Sequence, residues 1–422
     1  MRIGIIGGGI SGLASAWLLE EKHDVILFEK QDRLGGHANT IVVPTPAGDI
    51  PVEAGFEFFN SVMFPHFTQL LSILRVPTTS YSFNYTFSSE KTDAIFILPP
   101  WKNGKVIWDM LNINKLCTLL QLKYIVGKSK QLVREKNIHI TIEQFLNQTR
   151  VTDSFKYDFF IPLFCAGWGI SPEKFKTFAA YNLLSWVVEN KAMGLQDCVW
   201  NEIPSGMSSY IAALAGQIKH APLKTSTEIQ SITYENGQYI VLEEHGIRHT
   251  FDHIIIATNA HEACGLLQNI THLENRYNLL NKIEYIEATI AIHGDECFMP
   301  KNKKDWSVAN VWYNGKNSIL TTHKPWHSSM PLFRSWLMDD FPDPKPLYAI
   351  SKYHHAQVTP TYFQVQQELS VLQGEHNVWI AGLYTQDIDS HESALTSALK
   401  IAEQLAPGST RYNAIMKKEN YL

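Results

Sequence analysis

The apolar positions of the first thirty residues fall into three blocks. Arg2–Gly7 (RIGIIG) is a short β-branched run, the composition of a strand buried on both faces. LASAWLLEE, from Leu13, spaces its apolar residues as a helix does, and DVILFEK (Asp24–Lys30) is again strand-like. This order predicts a parallel βαβ unit at the head of an α/β fold.

The later pattern is less regular. VVPTPAGDIPVE reads as a hairpin with Gly48 and Asp49 at its turn, and MFPHFTQLLSILRV as an amphipathic helix. Tyr81–Phe87 alternates as one strand, and Ile107–Glu189 is mainly helical. Gly167 and Gly169 mark a turn around Trp168, and Gly206 opens a further helix. Asn236-Gly237 joins two strands of a meander, and HIIIATNA returns as a buried strand. Tyr285–Ala356 holds short strands that suggest an antiparallel sheet. NVWIAGLYT, through Gly382, then leads into the helix HESALTSALKIAEQL, and the polar tail RYNAIMKKENYL is expected to be loosely held. No repeat or low-complexity tract is present. With 422 residues the chain exceeds one ordinary core. The boundaries expected are 1–72, 203–282 and 375–410 for a nucleotide-binding domain, interleaved with an α+β substrate domain over 73–202 and 283–374.

The chemistry begins at the first turn. Gly7, Gly9 and Gly12 have G-x-G-x-x-G spacing: the first for the tight turn, the second for approach of a pyrophosphate, the third for helix-on-strand packing. The helix N-terminus, with Ile10 and Ser11, directs free N–H groups at the phosphates. Glu29 ends the second strand, 17 residues after Gly12, and is placed to take ribose hydroxyls; an acid there disfavours NADP.

Composition narrows the class. Apolar residues are 45% against 18% charged, and the net charge of −5 leaves no basic stripe for nucleic acid. Most of the 12% aromatics are expected to fill a large core. The five scattered cysteines form no CxxC pair, and the chain enters a strand at once without a secretory signal; both point to a cytoplasmic protein. The longest apolar stretch, LNINKLCTLLQLKYIV, is interrupted by Asn114, Lys115 and Lys123 and is too polar to span a membrane. Its two readings are a helix of the second domain and peripheral contact with a membrane surface. His354-His355 lacks a third ligand at sensible spacing, so no metal is expected.

Glu29, Arg33, Gly35 and Gly36 in EKQDRLGGHANT follow the pattern E-(x)3-R-x-G-G, and the chain resembles the FAD-dependent amine oxidase and phytoene desaturase superfamily. Matching stretches run nearly the whole length: GGGISGLASAWLL, RLGGHANT, GFEFFN, the turn at PLFCAGWG, PSGMSSYIAAL, and VWIAGLYT before HES. They are most similar to bacterial oxidoreductases related to the flavin domain of plant cyclopropane fatty acid synthases, and to fatty acid desaturase and isomerase flavoenzymes. The resemblance implies a Rossmann-like domain of amine oxidase type holding FAD non-covalently. It implies that Lys30, His37, Gly55, Phe56, Glu57, Ile229, Thr258, Gly382 and Leu395 join the glycines, Ile10, Ser11, Glu29 and Arg33 around that cofactor. Trp168, Tyr384 and Tyr81 are expected to line the substrate pocket. His37, His391 and Glu392 are the candidate catalytic residues, as proton relay or as support for the reduced flavin. Two departures stand out: Glu53-Ala54-Gly55 replaces D-x-G, and IDSHESA replaces G-F-H-E-D-G.

The activity so implied is hydride abstraction from a C–H bond of a hydrophobic, lipid-like substrate. A double-bond isomerase of unsaturated fatty acids, an amine oxidase and a non-catalytic flavoprotein subunit are the other readings. A methyltransferase or cyclopropane synthase is the partner that the resemblance suggests. No water-holding lysine of the amine oxidase kind can be assigned by motif, although Lys324 and Lys352 fall on strands.

Overall fold

The computed structural model describes residues 1–417 except 103, 192 and 194. Its first sheet is parallel, in the order Leu223–Lys224, Asp24–Phe28, Arg2–Ile6, His253–Ile256, Val378–Ile380. The opening strand β1 (Arg2–Ile6) is central, with Ile5 opposite Leu27 on one side and Ile255 on the other. Burial on both faces explains its unbroken apolar run. All ten residues of helix α1 (Ile10–Leu19) are buried, because the closing helix His391–Leu405 covers the face that the sheet does not. The Ser11 hydroxyl donates to the Ala394 carbonyl at 2.9 Å and stitches the two helices together.

The meander predicted around Asn236-Gly237 is present as Ile229–Glu235, Gln238–Glu243 and Arg248–Phe251, with both turn residues at positive φ. That is what a two-residue turn between twisted strands requires. A seven-stranded, mostly antiparallel sheet has the order Leu347–Ala356, Tyr285–His293, Phe333–Leu337, Ser318–His323, Ala309–Tyr313, Tyr85–Ser89, Ala94–Leu98. The helix Ile113–Arg134 packs on Ala180–Glu189 beside it.

Three expectations change. The strand expected over Tyr81–Phe87 is two strands in different sheets: Thr79–Ser82 pairs with Val199–Glu202, while Tyr85–Ser89 joins the large sheet. Asn84 is the joint, because its side-chain and backbone oxygens accept the Val308 and Ala309 N–H groups. The first hairpin turns at Pro46-Ala47, ahead of Gly48 and Asp49, which already pair with Thr45 and Pro44. The tail is anchored as far as Lys417. Thr410–Met416 is helical, and the Arg411 guanidinium donates to the carbonyls of Trp17 and Gln217 and to Glu20. The final part of the tail lies outside the described residues.

Candidate active site

The three signature glycines have separable reasons to be glycine. Gly7 has φ +110°, and a Cβ there would lie 2.5 Å from the Ala257 carbonyl oxygen. A Cβ on Gly12 would lie 1.9 Å from the Gly7 oxygen, so this glycine lets α1 close on the turn. Gly9 is different. Its φ of −70° suits any residue, and a Cβ there would meet no protein atom within 4 Å. The fold itself makes no demand for glycine at this position; a ligand passing over it does.

Gly35 and Gly36, both at positive φ, lay a second loop beside this one. The Gly35 N–H donates to the Gly8 carbonyl, and a Cβ on Gly36 would stand 3.3 Å from the Gly9 Cα. Arg33 donates to the Gly36 carbonyl through Nη2, while its Nη1 is buried without a partner. Leaving a buried guanidinium nitrogen unsatisfied is costly, and a phosphate oxygen would satisfy it. Glu29 accepts the N–H groups of Gly8 (2.6 Å) and Gln31 (2.8 Å), which fixes its carboxylate at the rim with lone pairs left for hydroxyls. Lys30 turns aside to an ion pair with Glu262. An open shelf at Gly9, an unpaired Arg33 nitrogen and an acid at the rim fit a dinucleotide pyrophosphate and ribose.

A further segment closes the cradle. Gly55 passes so near His37 that a Cβ would lie 1.9 Å from the His37 carbonyl oxygen, and the Phe56 N–H donates to that oxygen. Arg334 holds the segment from outside, donating to the Gly55 carbonyl at 3.0 Å and to Glu57 at 3.3 Å. Phe56 stacks on His391 with ring centres 4.2 Å apart and nearly parallel planes.

The wall beyond His37 is aromatic. His37 stacks on Tyr353 at 4.8 Å and meets His355 edge-on at 5.7 Å, and His355 abuts Trp336 at 5.3 Å. His354, one residue away on the same strand, points to the opposite face and meets His261. Burial, assisted by His355, holds His37 down at about 4, and burial with Arg334 nearby holds His355 at about 4. Both rings are neutral at pH 7. Burial pushes the Asp389 carboxyl up, against the hydrogen bond from the Trp168 Nε1–H at 3.4 Å and the pull of His37.

Several expected site residues are placed otherwise. Glu392 serves a neighbouring helix rather than the cradle. Its Oε1 accepts the His66 backbone N–H, and its Oε2 accepts that of Phe67, both at 2.9 Å, capping Pro65–Leu74. His391 is bonded to the Tyr210 hydroxyl at 2.7 Å and is held down to about 3 by burial and His37, so it forms a wall and carries no charge at neutral pH. Tyr384 packs beneath the cradle, its hydroxyl donating to the Thr258 carbonyl. Gly382 donates its N–H to Ser397, Leu395 is buried in the closing helix, and Ile229 is buried at the start of the meander. Trp168 does reach the aromatic wall, through Asp389. Tyr81 packs on Phe83 and Trp326, beneath the Lys324 ammonium.

Tyr81 and Glu57 belong to a buried charged cluster that sequence reasoning missed. Lys324 bridges Glu57 (3.2 Å) and Glu202 (2.8 Å), and Glu202 also accepts from Trp326 and pairs with His327. Burial opposes the charge on Glu202, yet these donors hold it at about 2. Burial likewise opposes the charge on Lys324, and its two carboxylates overcome it and raise its pKa. The Glu57 side chain is thus committed to Lys324, Thr322 and Arg334 rather than to a cofactor. Glu53, nearby, accepts from the Met207 N–H and the Thr40 hydroxyl, and burial pushes it up to about 7. No signal for this cluster exists in any one segment, since its members are supplied by residues 53–57, 81, 202 and 322–334.

Residues 10–322 match the family described as flavin containing amine oxidoreductase. A 4,4'-diapolycopen-4-al dehydrogenase of Metabacillus indicus is 62% identical over 37 residues, 8% of this chain and 8% of that protein. Solved structures share the fold at low identity. A CLA-producing fatty acid isomerase from P. acnes has TM-score 0.68 and 15% identity, with 94% of this chain and 96% of that chain covered. Cyclohexylamine oxidase from Brevibacterium oxydans has TM-score 0.67 and 15% identity, with 96% and 99% covered. With its glycine cradle, rim carboxylate and unpaired arginine nitrogen, the chain belongs to the flavin-containing amine oxidoreductase family and is an FAD-dependent oxidoreductase.

Proposed function

We propose that the chain oxidises a hydrophobic, lipid-like substrate by abstracting hydride from one of its C–H bonds, as a desaturase or oxidase. The observation that carries this reading is the wall of Trp168, Trp336, Tyr353, His37 and His355, aromatic and with both imidazoles neutral. An aromatic surface whose imidazoles carry no charge favours an apolar chain and excludes water, with Arg334 over Trp336 and Asp389 beside Trp168 as its charged edges. The candidate water-holding lysine, Lys324, is already committed to Glu57 and Glu202, which weighs against an amine oxidase site of that kind.

FAD, when bound, supplies the acceptor for the hydride. The protein supplies the rest. The Gly7–Gly12 turn and Arg33 would hold the phosphates of FAD, and Glu29 its ribose. Arg334 keeps the Gly55–Phe56 segment in place. Dehydrogenation also releases a proton, and Asp389, raised by burial and bordering Trp168 and His37, accepts it on its carboxylate.

Asp389 also favours a second reading. A carboxylate within an aromatic wall suits a cationic amine, and a solved amine oxidase shares the fold. Anaerobic titration of the yellow holoprotein with a lipid extract separates the readings. Bleaching of the flavin band together with newly unsaturated lipid is the expected result. A moved double bond without net bleaching would indicate an isomerase, the activity of another protein of this fold. Bleaching by amines alone, with peroxide released on admitting air, would overturn the proposal in favour of amine oxidation.

A further inference from the structure

The helix Ile113–Arg134 has two apolar faces. Leu119, Leu122, Val126 and Ser129 turn inward and are buried. On the opposite side Ile113, Cys117, Leu120 and Tyr124 follow at steps of four, three and four, one continuous outward seam. Ile113 is 74% exposed and Leu120 66%. The turn leading into the helix, Trp108–Leu111, adds Trp108 at 78% exposure. An isolated exposed apolar residue needs no explanation, but a seam capped by a bare tryptophan does.

The charge around this seam is as distinctive. Residues 101–136 carry eight Lys and Arg against Asp109 and Glu135, a local balance of +6 in a chain whose total is −5. Lys123 and Lys128 are exposed and flank the seam, and Lys128 rests over the Tyr124 ring. Of the two acids, Asp109 faces Lys304 at 3.8 Å, and Glu135 accepts from Gln131 at the far end of the helix.

We propose that this face docks the protein on an anionic lipid surface. The seam and Trp108 enter the headgroup boundary, where tryptophan is favoured, and the lysines meet the lipid phosphates. The helix lies in the interface rather than crossing it: no helix among the described residues is long and apolar enough to span a membrane. A second copy of the chain is the less suitable occupant, because two such faces would bring like charge against like charge. The inference stands on this surface alone and does not depend on the substrate class proposed above.

Flotation of the purified holoprotein with vesicles tests it. Binding is expected to vesicles of phosphatidylcholine with roughly one third phosphatidylglycerol, to be weak on phosphatidylcholine alone, and to fall as salt rises. Lys123→Gln with Lys128→Gln should weaken binding on the order of 30-fold, at about five-fold for each lysine near the surface. Trp108→Ser, Ile113→Ser and Leu120→Ser together should weaken it about tenfold or more while FAD content is unchanged, since these side chains are outside the core. Equal binding to both vesicle types, or unchanged binding of the triple variant, would overturn the proposal. So would failure to bind either vesicle by a protein that is dimeric in solution and becomes monomeric in the triple variant, which would assign the seam to self-association.

Discussion

Replacing Gly9 isolates what the ligand asks of the turn from what the fold asks. At φ −70° and ψ −178°, with no protein atom within 4 Å of a built Cβ, alanine fits the ligand-free protein without strain. Loss of backbone freedom in the unfolded chain should favour Gly9→Ala by about 0.4–1 kcal/mol. Poorer capping of α1 takes back a similar amount. The stability of the FAD-free protein should therefore stay within about 1 kcal/mol of the parent. With FAD the outcome differs, because the methyl group stands where the pyrophosphate passes. Overpacking a closely fitted site costs about 1–3 kcal/mol, a factor of roughly 5 to 150 in Kd. The branched side chain of Gly9→Val lies beyond that range and should leave the purified protein colourless. Denaturant unfolding of the FAD-free forms, paired with calorimetric FAD titration, reads both quantities. A destabilised FAD-free Gly9→Ala protein that binds FAD normally would refute the reasoning, as would stoichiometric FAD in Gly9→Val.

Other outcomes follow from the same geometry. Glu29→Gln should weaken FAD binding by about 1–2 kcal/mol while the residual holoenzyme keeps its turnover, because an amide oxygen cannot serve Gly8, Gln31 and a ribose as a carboxylate does; FAD titration alongside steady-state rates checks this. Glu392→Ala should cost about 2 kcal/mol in denaturant unfolding through loss of the cap on Pro65–Leu74, with little change in rate per bound flavin. Asp389→Asn should keep its flavin and lower kcat by about 100-fold or more, as expected for loss of a proton acceptor. Glu53 is raised from 4.5 to about 7, so the folded protein holds that proton more tightly than the unfolded chain. The associated stability is complete below pH 4.5 and is lost as pH rises to about 7, a change of order 3 kcal/mol. Glu53→Gln should flatten that part of the stability profile, and a curve parallel to the parent's would show that other groups titrate there.

The cradle was legible in the sequence because its parts are local. Gly7, Gly9, Gly12, Glu29, Arg33, Gly35 and Gly36 lie within thirty residues, and each supplies a backbone geometry, a charge or, at Gly9, a bare surface for a ligand that few other residues supply. The meander was legible for the same reason, through Asn236-Gly237. The wall was legible only in part. Trp168 stood out by its flanking glycines, whereas Trp336, Tyr353 and His355 are ordinary members of alternating strands until strand pairing sets them beside His37. Asp389 carried no motif, since the segment holding it departs from its family pattern. Glu392 was named as a catalytic candidate through the resemblance, and its bonds to the His66 and Phe67 N–H groups join segments more than three hundred residues apart, which no local pattern shows. Tyr81 stands beside Lys324 because its strand pairs with Val199–Glu202 rather than continuing into the large sheet, a pairing that alternation alone does not show.

The order of strands in the parallel sheet has a consequence for biosynthesis. The strand that opens the chain has as neighbours Asp24–Phe28, which follows almost at once, and His253–Ile256, which leaves the ribosome more than two hundred residues later; Val378–Ile380 completes that side. Helix α1 finds most of its outer cover in His391–Leu405, with Met207–Gln217 and Thr410–Met416 completing it. The opening segment, though it carries the whole glycine signature, must wait with its apolar faces open until the segments at 253–256, 378–380 and 391–405 have emerged. Contacts so distant in sequence close slowly. The opening segment is accordingly a natural client for chaperones during synthesis, and the sheet that carries the glycine turn closes only after those distant segments join it.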